Sequence, residues 1–263
     1  IRIYEKSDTF VVNNIPQKKW QQLDGETINI FLSDREEKLL SRIRMDSLIL
    51  SGICNVIVGM KPYQRGKGKP KQIKQDVENR IFDSDYKIDE LYMPLLRGKD
   101  ICKYETLWKG NRWIKYGKWL AEPRYSANFS SKEKIVLRQT GDSLIATLDE
   151  NQFICMNNIH IIHMIDQQYH INFILCLINS KLMTFYFQCL NPEKGEALAE
   201  VKKTNVEKLM IKETPKFNQK PFLDLADRIL TTKKANPQAD TTALETEIDQ
   251  MVYELYGLTE EEI

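Results

Sequence analysis

The densest run of side chains able to do chemistry is Lys61-Pro-Tyr-Gln-Arg65-Gly-Lys67-Gly-Lys69-Pro-Lys71-Gln-Ile-Lys74, with six positive charges, a tyrosine and no acid. Cations at this density displace condensed counterions from a phosphate backbone, the effect that dominates non-specific affinity for nucleic acid. The glycines would let such a loop follow a backbone closely; the same composition also suits an exposed loop with no partner. A second set runs from Arg97 and Lys99 through Lys103 and Lys109 to Arg112, Trp113, Lys115, Tyr116, Lys118 and Trp119. Basic and aromatic residues interleaved in this way can pair phosphates and stack on exposed bases, while Trp113 and Trp119 equally suit a core. The third is Arg138-Gln139-Thr140, at the end of the apolar run Ile135-Val136-Leu137. Arginine can bind a guanine edge and glutamine an adenine edge bidentately in a major groove; a structural ion pair is the other reading of Arg138. The candidate contacts are therefore Lys61, Arg65, Lys67, Lys69, Lys71, Lys74, Arg97, Lys99, Arg112, Lys115, Arg138 and Gln139.

Catalytic constellations are poorly supported. Gly66 and Gly68 form a GxG without a third glycine or a preceding strand, so neither a dinucleotide site nor a Walker loop is expected. His160 and His163 are three apart on a β-like run, on opposite faces, which suits core histidines better than a metal pair. Asp83, Asp85 and Lys87 loosely resemble a nuclease's acidic-basic cluster, with no upstream acid to complete it. An amino methyltransferase needs an Asn-Pro-Pro-aromatic segment and a glycine-rich cofactor loop. The sequence contains neither, and Asn191-Pro192-Glu193-Lys194 does not replace the former. The five cysteines are odd in number and form no CxxC, which argues against a disulfide framework or zinc knuckle and fits a reducing cytoplasm. No catalytic residue, metal ligand or cofactor site is expected in this chain.

The elements that must position the candidates follow from pattern. Ser33 and Glu36 have capping-box spacing ahead of a helix over Glu36–Met45. Strands are expected at 27–32, at 48–58 with a break at Gly52, and at 91–95, 111–116, 134–139, 143–148 and 159–165. A short helix should follow the basic loop near 72–82. The run 171–190 is the strongest helix; Asn172, Asn179, Ser180, Lys181 and Gln188 interrupt it, so it reads as a core helix and not a membrane span. Two helices close the chain, at 221–232 and 241–256. The second has a heptad-like seam of Leu244, Ile248, Met251 and Leu255, with Gly257 placed to end it. The fold class is α+β (mixed α/β).

Net charge is +1, yet residues 240–263 hold eight acids and no Lys or Arg, leaving +9 on the rest. A basic body with an acidic tail suggests a polyanion-facing surface. The chain opens at Ile1 with no Met and no basic-then-apolar leader, which reads as a piece of something longer.

Four segments in order carry a family resemblance. They are Gly52-Ile53 followed by Gly59; Met93-Pro-Leu-Leu-Arg97-Gly-Lys-Asp-Ile101-Cys-Lys-Tyr104; Lys134-Ile-Val-Leu-Arg138-Gln; and Leu177-Ile-Asn-Ser180-Lys-Leu-Met-Thr-Phe185-Tyr-Phe187. From Leu48 to Pro215 the sequence resembles the TaqI-like C-terminal specificity domain, the target-recognition region of adenine-N6 DNA methyltransferases and type II restriction-modification enzymes. The tail from Ile248 to Ile263 looks like the usual C-terminus of such polypeptides. The resemblance implies a central β-rich recognition domain with a long packed helix and a C-terminal helical appendage, the three parts spanning 1–47, 48–215 and 216–263. It implies double-stranded DNA as partner. It further implies a methyltransferase domain upstream in the same polypeptide, which would flip the adenine and bind S-adenosylmethionine. Base-contacting residues differ among members, so the candidate contacts rest on charge and not on the resemblance. Two other readings stand beside it: a docking module whose basic face meets an acidic protein, and a metal-dependent nuclease built on Asp83, Asp85 and Lys87.

Overall fold

The computed structural model describes residues 2–4, 10–12, 32–127, 129–191 and 199–263. The strand expected over 27–32 lies outside them except for its last position. Strands β1 (Arg2–Tyr4) and β2 (Phe10–Val12) pair antiparallel. Helix α1 (Asp34–Arg44) begins at the expected capping box: the Glu36 amide donates to the Ser33 hydroxyl (3.2 Å) and the Ser33 amide to the Glu36 carboxylate (2.8 Å). Acids in its first turn and Arg42 and Arg44 in its last complement the helix dipole.

The segment expected as a strand broken at Gly52 is β3 (Ser47–Ile49), one helical turn α2 (Leu50–Ile53) and β4 (Cys54–Val58). The turn forms because Leu50 and Ile53, three apart, both enter the core, and the Leu50 amide reaches the Leu209 carbonyl (2.8 Å). Then follow α3 (Lys74–Glu78), β5 (Asp83–Ser84), β6 (Tyr92–Leu96), a 3-10 turn (Gly98–Asp100), β7 (Ile101–Cys102), β8 (Glu105–Thr106) and β9 (Trp113–Lys115). Next come β10 (Lys134–Arg138), β11 (Ala146–Asp149), β12 (Ile154–Cys155) and β13 (Ile159–Met164).

The central sheet is antiparallel, in the order β11-β10-β13-β4. Successive residues of a strand point to opposite faces, and both faces here are covered. Ile135, Leu137, Ile162 and Val56 join the helical layer, while Val136, Ile159 and Ile161 meet a second sheet, β12-β6-β9-β5, through Leu95 and Ile114. Burial on both sides explains the uninterrupted apolar run of β10, since no face is left for polar alternation.

The run 171–190 is not one helix. It is α4 (Ile171–Asn179) and α5 (Lys181–Leu190), bent by 68°. Ser180 is extended and its hydroxyl caps α5 by accepting the Met183 amide (3.1 Å). The Asn179 side chain bonds the Ala146 amide and carbonyl on β11 (2.9 and 3.0 Å), anchoring the end of α4 to the sheet. The polar pair is therefore a corner. Among the described residues no single helix is long and apolar enough to cross a membrane.

After α6 (Lys203–Glu207), β14 (Met210–Lys212) pairs with β3. Helix α7 (Lys216–Ala235) starts five residues before Pro221, the expected first residue. The buried Gln219 side chain holds the extra turn: it accepts the His170 amide (2.9 Å) and donates to the carbonyls of Gln168 (3.0 Å) and Thr214 (2.9 Å). Helix α8 (Thr242–Leu255) lays the expected seam on the helical core, and Gly257 follows at φ +68°. Leu40 and Ile43 of α1 share that core with Ile248 and Val252 of α8. Arg42 binds Glu262 (2.8 Å), so part of the acidic tail is turned onto α1.

Candidate nucleic-acid interface

The basic loop leaves β4 at Gly59, where a Cβ would lie 2.1 Å from the Met156 carbonyl oxygen; only glycine fits. The loop is ordered by Gln72, a buried residue that nothing in its sequence context singles out. The Gln72 side chain accepts the Gln64 amide and donates to the carbonyls of Pro62 and Trp119, each at 2.9 Å. The Lys69 amide adds a bond to the Lys118 carbonyl (2.9 Å). With its polar backbone satisfied inwardly, the loop presents Arg65, Lys67, Lys69 and Lys71 to solvent, and none of the four pairs with an acid among the described residues. Lys74 is exposed beside Glu78 (3.6 Å), and Lys61 is half-buried on Gln64 (2.9 Å).

Tyr63 is structural. Its ring stacks on Phe82 (5.6 Å between centroids), and its hydroxyl donates to Asp83 (2.8 Å) and accepts the Phe82 amide (2.9 Å). Burial, then the neighbouring Asp83 charge, push that phenol well up. Asp83 also takes Arg80 (2.7 Å) and Arg97 (3.5 Å). Lys87 turns instead to Glu90 (2.8 Å), so the three residues of the nuclease reading do not converge. Among the described residues no group of three His, Cys, Asp or Glu side chains is placed to hold a metal.

The Arg97-Gly-Lys-Asp-Ile101 string is a built turn. A Cβ on Gly98 would sit 2.8 Å from the Asn158 carbonyl oxygen, and the Gly98 amide donates to Asn158 Oδ1 (3.1 Å). Asp100 is buried; it accepts the Arg97 amide (3.1 Å) and binds the Arg112 guanidinium (2.7 Å). Lys99 remains exposed at the apex. Arg112 is thus largely committed to an internal ion pair. Trp119 packs on the core of the second sheet and donates its indole N–H to the Lys115 carbonyl (2.8 Å), whereas Trp113, on the strand face opposite the buried Ile114, meets Trp108 edge-on and donates to the Gly110 carbonyl (2.8 Å). Lys115 lies over the Trp119 ring, 5.4 Å from its centroid.

Arg138 ends β10 with its Nε on the Thr140 hydroxyl (3.0 Å) and not on an acid, leaving the rest of the guanidinium uncommitted by that bond. The Gln139 amide donates to the Asn158 carbonyl (3.1 Å), and its own carbonyl accepts the Val201 amide (2.7 Å). Asn158 therefore joins the Arg97–Lys99 turn to the Arg138–Gln139 strand end. Its clue in the sequence was Asn157-Asn158 between two apolar runs, a turn signal. The Gly59 amide bonds Ile159 on the adjacent strand (3.0 Å), so the basic loop departs from this same end of the central sheet. The fold brings Lys99, Arg138 and Gln139 to one end of the central sheet, and the loop that carries Arg65 and the lysines departs from that end.

Residues 93–211 match the TaqI-like C-terminal specificity domain. The match takes in the Arg97 turn, β10 and the Asn179–Ser180 corner; Gly52, Gly59, the basic loop and the acidic tail lie outside it. Among solved structures, the type IIL restriction-modification enzyme MmeI, in complex with DNA, aligns with a TM-score of 0.52 at 12% identity, over 80% of this chain and 34% of that one. This likeness shows a shared fold. The type IIG restriction endonuclease BpuSI gives 0.48 at 12% identity over 84% and 32%. The HsdS subunit from Thermoanaerobacter tengcongensis gives 0.43 at 12% identity over 85% and 51%. The chain spans about half of that subunit and about a third of the two larger enzymes. A comparison with curated protein sequences returns no match.

Proposed function

We propose that this chain is the DNA target-recognition module of a restriction-modification enzyme, more narrowly of an adenine-N6 methyltransferase polypeptide, and that it holds duplex DNA for a catalytic domain upstream. One observation carries the reading: an ordered cationic loop emerges at the same sheet end as the Arg97–Lys99 turn and the Arg138–Gln139 strand end, both inside the specificity-domain match. Arg65, Lys67, Lys69 and Lys71 would contact phosphates and fix register, while Arg138 and Gln139 would read base edges.

Methyl transfer needs S-adenosylmethionine, and the described residues do not fit it. The central sheet is antiparallel and lacks the crevice at the carboxyl ends of parallel strands where such cofactors bind. On this reading the catalytic domain supplies both the cofactor and the pocket for a flipped adenine, and the enzyme works in the cytoplasm. Selection of bound duplexes from a randomised pool should converge on one short site; a pool that stays random after repeated rounds would overturn the proposal.

A further inference from the structure

A cavity of about 620 Å³ lies between the Met164 end of β13 and the first turns of α4 and α7. That volume falls within the ~300–1,000 Å³ of sites for small organic ligands. Lys132, Lys216, His163 and His170 line it, with Glu133 as the acid among the lining residues. The His170 Nδ1 accepts the Asn172 amide (3.2 Å), so in the neutral ring the proton sits on Nε2, which is a donor. The first turns of α4 and α7 contain no acid, so their own side chains do not offset the positive ends of the two helices. Met164, Ile171 and Leu223 supply an apolar wall. The three Gln219 bonds to His170, Gln168 and Thr214 tie the α7 side of the cavity to the α4 side, so the walls are held before any ligand arrives.

We infer that this cavity binds a small phosphate-bearing ligand with an apolar or planar body, of the size of a nucleoside monophosphate. Two lysines and two imidazoles suit a dianion better than a single carboxylate. The cavity opens at the Met164 end of β13, whereas the cationic loop departs beside Ile159 at the other end, so the two sites are separate.

The test is calorimetric titration of the full chain with adenosine 5′-monophosphate, with adenosine as the control lacking phosphate, and with a short duplex measured in parallel. The expected result is one-to-one binding of the monophosphate alone. In Lys132→Gln/Lys216→Gln that affinity should fall about tenfold or more, the scale of losing charge-assisted contacts, while duplex affinity stays unchanged. Both lysines are exposed, so the variant should fold. Absence of binding, or binding that ignores the double substitution, would overturn the inference. So would a matching loss of duplex affinity, which would make the cavity a seat for a DNA phosphate.

Discussion

Replacing Lys67, Lys69 and Lys71 with alanine should weaken binding to every duplex alike. The three side chains are exposed and pair with no acid among the described residues, so they lose no internal partner on substitution. The loop itself should persist, because Gln72 and the Lys69 amide hold it through groups these substitutions leave in place. Each phosphate contact contributes about −0.9 to the slope of log K against log salt, so three contacts contribute about −2.7. Carried from a ~1 M reference to ~0.15 M salt, that slope corresponds to roughly a 150-fold loss in affinity, or ~3 kcal/mol. Fluorescence anisotropy with a labelled duplex, repeated across salt concentrations, reads both quantities. An unchanged slope, or a loss restricted to one sequence, would refute the assignment of this loop to the backbone.

Three further outcomes follow. Arg138→Ala should relax preference at a single base position by ~1–3 kcal/mol, read by competition with single-substituted duplexes; a uniform loss would make Arg138 a phosphate contact. Lys134 and Asp149 form an ion pair with both side chains 0% exposed (2.9 Å), so Asp149→Ala should cost ~3–5 kcal/mol in denaturant unfolding by stranding a buried ammonium. Lys134→Met/Asp149→Leu should recover only part of that loss, because Asp149 also accepts the amides of Asn151 and Phe153; a negligible effect of the single change would contradict the pairing. Burial holds the His160 imidazole below its ordinary range, with its ring on the Val201 carbonyl. The stability it lends is present above the unfolded-state value of about 6.5 and is lost as pH falls through the lower folded value, because the unfolded chain takes up the proton first. His160→Gln should remove that component, so parallel pH–stability profiles for the two proteins would count against it.

Much of the architecture was legible because local chemistry and tertiary packing agree. The Ser33–Glu36 box and the glycine after α8 rest on contacts within a few residues, and the α8 seam shows in its helical spacing although it packs on distant elements. The departures occur where long-range bonds decide. Asn179 bends the 171–190 run because its partner is Ala146 on another element, and Gln219 extends α7 through residues 168–170 and 214. The cationic loop was visible from composition, yet its order depends on Gln72 reaching Trp119, some 47 positions away. Arg97 and Arg112 looked like equals of the loop lysines in sequence; their carboxylate partners, Asp83 and Asp100, become neighbours only in the fold.

On the proposed function, this protein discriminates between DNA sequences. Equilibrium competition between a selected duplex and a scrambled duplex of the same length and composition, at one fixed salt concentration, tests it most directly. The selected duplex should bind more tightly by ~4 kcal/mol or more, the margin of a specific reader over its own non-specific binding. Equal affinity for the two would mean that the cationic face grips polyanions without reading them, or that its partner is an acidic protein.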